Sequence, residues 1–468
     1  MPNVGFFPSG IQEISFFQIN KLIPINCNNS FDWTVNNCFI TNHLTQIDEN
    51  YLSNYEFILA EFRQNYLLFA RHFVVKSDLE ITYRHLALRC LSLSNSLKEN
   101  SINSVLLSTA ASHHVDSLIL ELACRISNIK QVFLYHVEFI DRLLPILQSN
   151  GISTRGVMNL RISEETFFSQ VMDFNRYRQI QVKNSNKIFK RRDSFLYARF
   201  EILKKLIYVS GVKAFKYFSS LIASEKNEIG LDPWSFLHTK KVMLQQREAN
   251  HVLKNFIRQD KLKLQSFENQ ACFVIYAHLE PESTHFPEGG DSANVIDLVL
   301  RIRSLGYKDH IIFKEHPAFQ TYATNGDASR SGMARNLIFY ETLRKLGCIF
   351  VDNDFTAGSK GLVVTLTGTV ALERSLVGLE TVVMGHIWFA GMPGCLTLSE
   401  AIDRLNGRVG ILSKEIELSS QKFLLETLNF HAIKNPTGIG SGIKSEDIEI
   451  KNEYRLQIQR LVDYMSNL

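Results

Sequence analysis

Leu362-Val363-Val364-Thr365-Leu366-Thr367-Gly368-Thr369-Val370-Ala371-Leu372-Glu373 is an apolar run that breaks at a hydroxyl-rich turn and resumes with helical spacing. A short continuous run of β-branched and aliphatic residues fits a strand buried on both faces. Gly368 then permits close backbone approach, and residues 370–377 predict a helix. A strand feeding a helix through such a turn is one step of a parallel sheet covered by helices. The same alternation surrounds it. Residues 271–277, 311–313, 348–351 and 381–384 predict strands, and 295–305 and 337–346 predict helices. The C-terminal half therefore reads as an open, doubly wound α/β sheet.

Outward from that region the pattern weakens. Residues 55–71 and 79–97 carry apolar residues at helical spacing. Residues 104–107 predict a strand that runs into Ser108-Thr109-Ala110-Ala111-Ser112-His113-His114-Val115-Asp116. A helix over 117–126 and a strand over 131–135 complete a β-loop-α-β unit, which favours a second parallel sheet. Residues 1–50 mix apolar runs with Asn-rich turns and give no assignment. Residues 155–265 read as predominantly helical and basic. From Lys183 to Lys216 ten Lys/Arg face only Asp193 and Glu201, a balance of +8. Such a stretch is either a solvated helical face or a contact surface for anionic lipid or a phosphorylated acceptor. Residues 445–468 predict a charged helix.

The 468-residue length exceeds what one core usually organises, so two domains are expected. We place an N-terminal acceptor-side domain at 1–150 and a helical basic insertion at 151–265. A nucleotide-binding domain follows at 266–440 and a terminal helix at 441–468. A formal charge of +4 gives no footprint for nucleic acid. Seven scattered cysteines without a Cys-x-x-Cys pair read as reduced thiols of a cytoplasmic protein. No apolar run approaches the roughly 20 residues that span a bilayer. Peripheral docking on the inner membrane face through 183–216 stays open.

Three loops carry the chemistry, each placed just after a predicted strand, where open α/β sheets bind ligands. In Lys314-Glu315-His316-Pro317 the Lys and His suit a phosphate and Pro317 fixes the exit of the chain, although an ordinary turn has the same composition. In Thr367-Gly368-Thr369 the hydroxyls and the new helix make an anion site, with Glu373 placed for ribose hydroxyls. A Thr N-cap with a favourable Glu is the structural alternative. In His278-Leu279-Glu280-Pro281-Glu282-Ser283-Thr284 two carboxylates offer a nucleophile or base, or else an exposed acidic turn. Asp352-Asn353-Asp354 comes near a metal signature but reads as a turn, so no metal or other cofactor is expected.

The order of these motifs, followed by Gly385-His386-Ile387-Trp388-Phe389, resembles bacterial capsule and lipopolysaccharide synthesis proteins. It is most similar to the retaining Kdo-transferase type, over residues 270–405 and more weakly over 108–135. The resemblance implies a GT-B type fold, with two Rossmann-like domains facing a cleft. It also implies transfer of an ulosonic acid, Kdo or a sialic-acid-like sugar, from a CMP donor to a surface glycan or glycolipid. Carried over by position, His316, Thr367 and Thr369 would hold the donor phosphate, Lys314 would add positive charge near it, Pro317 and Gly368 would complete the nucleotide site, and Glu373 would bind the ribose. Glu282 best matches the nucleophile. The Kdo type favours Asp there, and Glu280 lies two residues earlier, so the choice between the two stays open. His113, His114 and Asp116 would face the acceptor, or Asp116 would cap a helix. A UDP- or GDP-sugar transferase, an epimerase of the same plan and a non-catalytic assembly protein are the alternatives.

Overall fold

A computed structural model of the chain describes residues 3–7, 23–24, 49–64, 73–74, 79–99, 101–107, 115–137, 142–149, 152–153, 232–233, 245, 248–261, 272–278, 289, 294–316, 335–357, 361–406, 413–431, 433–434, 460–461 and 463. The N-terminal part contributes β1 (Asn3–Phe7), β2 (Ile23–Pro24), α1 (Glu49–Gln64), β3 (Phe73–Val74), α2 (Leu79–Glu99) and β4 (Ile102–Leu107). It continues with α3 (Val115–Ile126), β5 (Lys130–Val137), β6 (Arg142–Ser149) and β7 (Ile152–Ser153). Strands β2, β1, β4 and β5 are parallel neighbours in that order. The expected β4-α3-β5 unit is thus present. The sheet then departs from a parallel plan, because β6 returns antiparallel on β5. The connection spans only residues 138–141, too short for the crossover that a parallel pair needs. The short strand β8 (Asp232–Pro233) pairs antiparallel with β3 in a separate ribbon.

A helix over residues 248–261, α4, precedes the second sheet. There follow β9 (Cys272–Tyr276), α5 (Val295–Ser304), β10 (Ile311–Lys314), α6 (Leu337–Lys345), β11 (Cys348–Val351) and β12 (Gly361–Thr365). The last elements are α7 (Val370–Ser375), β13 (Thr381–Val383), β14 (Cys395–Leu396), α8 (Leu398–Asn406), α9 (Lys414–His431) and β15 (Ile433–Lys434). The six strands run in the order β11-β10-β9-β12-β13-β14, and all neighbours are parallel. Local chemistry explains the helix limits. Asn294 and Asn336 cap α5 and α6 by accepting the amides of Ile296 (2.8 Å) and Phe339 (2.9 Å). Gly306 and Gly347 end the same helices in left-handed conformation, at φ of 91° and 81°.

Alternation along the strands builds two cores at once. Phe273, Ile275, Ile311, Phe313, Leu362 and Val364 join the cluster that packs under α4, α5, α6 and α8. Cys272, Val274, Ile312 and Val363 lie in a second cluster with Val351 and Ala357. A third cluster combines α1, α2 and α3 with α7, Trp388, Phe389 and Leu424 of α9. The Gly385–Phe389 motif is therefore core where it carries its aromatic rings. Past α9 the chain adds β15 antiparallel to β6, so residues 433–434 belong to the N-terminal sheet.

Cys90, Cys124, Cys272 and Cys348 are free and buried. Burial pushes the Cys272 thiol up to about 11 and Cys348 up to about 12, so both stay protonated and unreactive at neutral pH. Among the described residues no helix is long and apolar enough to cross a membrane. The basic stretch 183–216 lies outside the described residues, as does most of the predicted terminal helix.

Candidate functional site

Counted from β9, the six strands have the order 3-2-1-4-5-6, and the winding direction reverses between β9 and β12. In doubly wound sheets such a reversal leaves a crevice at the carboxyl ends of the two strands, and nucleotides bind there. Both strand ends carry polar side chains that meet there. His278, two residues beyond β9, places Nε2 3.0 Å from Thr365 Oγ1 at the end of β12. The Thr367 amide donates to the same Nε2 at 3.2 Å, and the Gly368 amide donates to Thr365 Oγ1 at 3.2 Å. A backbone N–H is always a donor, so Nε2 carries no proton and the Thr365 hydroxyl donates to it. Gly368 is required by this packing. A Cβ there would stand 2.5 Å from Thr365 Oγ1 and 3.2 Å from His278 Nε2.

The turn is also tied to its neighbours. Met384 and Gly385 donate to the carbonyls of Thr365 and Leu366 at 3.0 and 2.8 Å, joining the ends of β12 and β13. Arg374, buried on α7, donates to Thr381 Oγ1 and to the carbonyls of Ala357 and Gly361. Those bonds fix the short helix, while its opposite face presents exposed Thr369 and, one turn on, half-buried Glu373. Thr367 is buried. Thr369 occupies the N-cap position, but its side chain makes no capping bond.

The end of β10 divides its side chains by the same alternation. Lys314 falls on the face of Ile312, where its ammonium donates to the Phe355 carbonyl (2.6 Å) and lies 4.9 Å from the centre of the Tyr276 ring. Burial lowers its pKa, against the opposing pull of Asp352 and Asp354. Glu315 turns to the other face and is buried. It accepts Arg335 Nε at 3.0 Å, the Tyr340 hydroxyl at 2.9 Å and the His316 amide at 2.8 Å. Arg335, also buried, donates through Nη2 to the His278 carbonyl at 2.9 Å. A buried chain thus runs from Tyr340 through Glu315 and Arg335 to His278, and on to Thr365 and Thr367.

His316 stands beside this pair. Burial, reinforced by the Arg335 guanidinium, pulls its pKa down to about 4, so the imidazole is neutral at pH 7. A neutral imidazole has one N–H donor and no full charge. The lowered value also sets a pH dependence. Between about 4 and the ordinary 6.5 the unfolded chain binds this proton and the folded chain does not, so stability falls as pH falls through that window. At about 1.4 kcal/mol per pKa unit, the loss reaches roughly 2 kcal/mol at pH 5. Urea unfolding of wild type and His316→Gln at pH 7 and pH 5 measures it. The variant should lose about 2 kcal/mol less than wild type over that interval.

Of the residues expected from sequence, Thr367, Gly368 and Thr369 form the turn after β12 and Glu373 lies on α7, while His316 follows β10, which β9 separates from β12. Lys314 has a partner of its own on the opposite face. Glu280, Glu282, Pro317, His113 and His114 lie outside the described residues. Asp116 falls in the first turn of α3, just beyond β4, whose neighbour β1 also pairs with β2 on its other side. Asp352 is a turn residue, its carboxylate accepting the amides of Asp354 and Phe355 at 3.2 and 3.1 Å. Among the described residues no group of three His, Cys, Asp or Glu is placed to hold a metal ion.

Sequence reasoning passed over His278, Thr365, Glu315, Arg335 and Tyr340 as working parts. Alternation from Ile311 onward does separate Lys314 from Glu315. Nothing local marks Arg335 as the partner of Glu315, 20 residues away in sequence.

No family model matches the chain, and no curated protein matches it. Among solved structures, the KpsC beta Kdo 2,7 transferase of Thermosulfurimonas dismutans aligns with 97% of this chain and 99% of its own, at 10% identity and a TM-score of 0.32. That likeness is too loose to carry an argument.

Proposed function

We propose that this chain is a glycosyltransferase of GT-B type that moves an ulosonic acid from a CMP donor to a surface glycan or glycolipid. One observation carries the reading: the polar turn Thr365–Thr369 sits at the β9/β12 reversal of a parallel, doubly wound sheet, tied to His278. Sheets wound this way bind nucleotides at that edge. The choice of CMP and of an ulosonic acid rests on the resemblance of the ordered motifs at residues 278–284, 314–317, 367–373 and 385–389. In this reading the N-terminal sheet takes the acceptor beside Asp116, and 151–265 is an insertion with a basic, membrane-facing stretch.

The chemistry assigns the residues as follows. A 2-keto sugar acid leaves CMP through an oxocarbenium-like state, by analogy with glycoside cleavage. Glu282, or Glu280, acts as the nucleophile of a retaining double displacement. The Thr367–Thr369 turn and the neutral His316 donate hydrogen bonds to the departing phosphate, and Glu373 accepts bonds from the ribose hydroxyls. Lys314 contributes at longer range from its place on Phe355.

Thermal unfolding with CMP, UDP and GDP in separate titrations tests the donor class. CMP at about 100 times its Kd should stabilise the protein by roughly 2.7 kcal/mol. UDP and GDP should leave it unchanged, and His316→Ala should weaken CMP by about tenfold. Stabilisation by UDP or GDP alone would assign a different donor. Stabilisation by none of the three would favour an assembly protein without transferase activity.

A further inference from the structure

His278 joins three strand ends and is not among the groups that touch donor in the reading above. Its backbone is held from the β10 side, where Arg335 donates to its carbonyl while also holding Glu315. Its side chain is held from the β12 side, where Nε2 receives the Thr367 amide and lies within hydrogen-bond distance of the Thr365 hydroxyl. The residue is buried, at 8% exposure, so these bonds compete little with water. Buried polar groups of this kind either complete a network or are costly, and a complete network fixes one geometry.

We propose that His278 is the positioning residue of the anion-binding turn. Nε2 takes up the Thr367 amide directly and the Gly368 amide by way of the Thr365 hydroxyl, which fixes the turn that presents exposed Thr369. The inference rests on the assignment of this turn to the donor phosphate. The role demands an acceptor at the Nε2 position and no charge. Gln places its Oε1 near the same point and can accept both bonds, whereas Phe fills the volume and accepts neither. Thr365 is the second half of the device, because its hydroxyl passes the constraint on to the Gly368 amide.

The test separates this role from simple packing. Hydrogen exchange in peptides covering residues 361–376 is compared for wild type, His278→Phe and His278→Gln without ligand. His278→Phe should raise exchange at the Thr367 and Gly368 amides by about tenfold or more, while His278→Gln stays near wild type. CMP titration of the three proteins should follow the same order, with Phe weakening binding about tenfold and Gln within about threefold. Unchanged exchange in His278→Phe overturns the positioning role, whatever CMP does. Equal loss in the Phe and Gln variants also overturns it, because only packing would then matter. If wild type fails to bind CMP while exchange follows the expected order, the positioning role stands and the donor assignment fails.

Discussion

Gly368→Ala should weaken CMP binding by about a hundredfold or more and lower stability by roughly 1–3 kcal/mol. The added methyl would stand 2.5 Å from Thr365 Oγ1, far inside contact distance, and 3.2 Å from His278 Nε2. Both neighbours are buried or held, so the turn itself must move. Overpacking of this kind typically costs 1–3 kcal/mol. Hydrogen bonds to a charged phosphate contribute about 1.5–3 kcal/mol each, so losing one or two of them costs on the order of a hundredfold in affinity. Calorimetric titration with CMP and urea unfolding read the two effects separately. Near-wild-type binding by the variant would mean that the turn does not touch the donor.

The largest stability effect is expected at the buried pair. Arg335→Met removes the guanidinium that balances Glu315, while Tyr340 and the His316 amide remain on the carboxylate. Breaking a buried ion pair by removing one partner costs roughly 3–5 kcal/mol, because the remaining charge is left without its counterion. Urea unfolding at pH 7 should show that loss. The His316 pKa should also rise, since the guanidinium beside it helps to hold it down. A change below about 1 kcal/mol would mean that Glu315 is compensated by other groups.

These effects depend on features that the sequence discloses unevenly. The strands β9 to β13 were legible because each is a short apolar run between turn signals, and Asn294, Asn336, Gly306 and Gly347 punctuate the helices between them. The position of Thr367–Thr369 at a strand end followed from the same pattern. Strand order did not follow, because nothing within β9 says that β12 will be its neighbour. The 3-2-1-4-5-6 order comes from right-handed crossovers and from which helix faces find cover. The antiparallel return of β6 was missed for a related reason, since Arg142–Ser149 mixes apolar residues with Pro145 and Gln148 and has no clean period. The pairing of β15 with β6 links residues almost 300 positions apart, so no local signal announces it.

At the site, residue types pointed to the turn that lies at the β9/β12 reversal but not to its internal wiring. Lys314 and His316 looked equivalent as phosphate donors in sequence. The pleat sends Lys314 to the Phe355 carbonyl, and burial leaves His316 neutral. The residue that ties the turn together, His278, was visible only as the first letter of an acidic motif. Its partners come from the end of β12 and from Arg335 just before α6, which only the folded sheet brings together.

A crystal structure of the protein soaked with CMP addresses the donor site most directly. The phosphate should lie at the β9/β12 crevice, within about 3 Å of donors in the Thr367–Thr369 turn and of His316, with the ribose toward Glu373. A phosphate bound elsewhere, with the Thr367–Thr369 turn unoccupied, would contradict the assignment of this sheet edge to the nucleotide sugar.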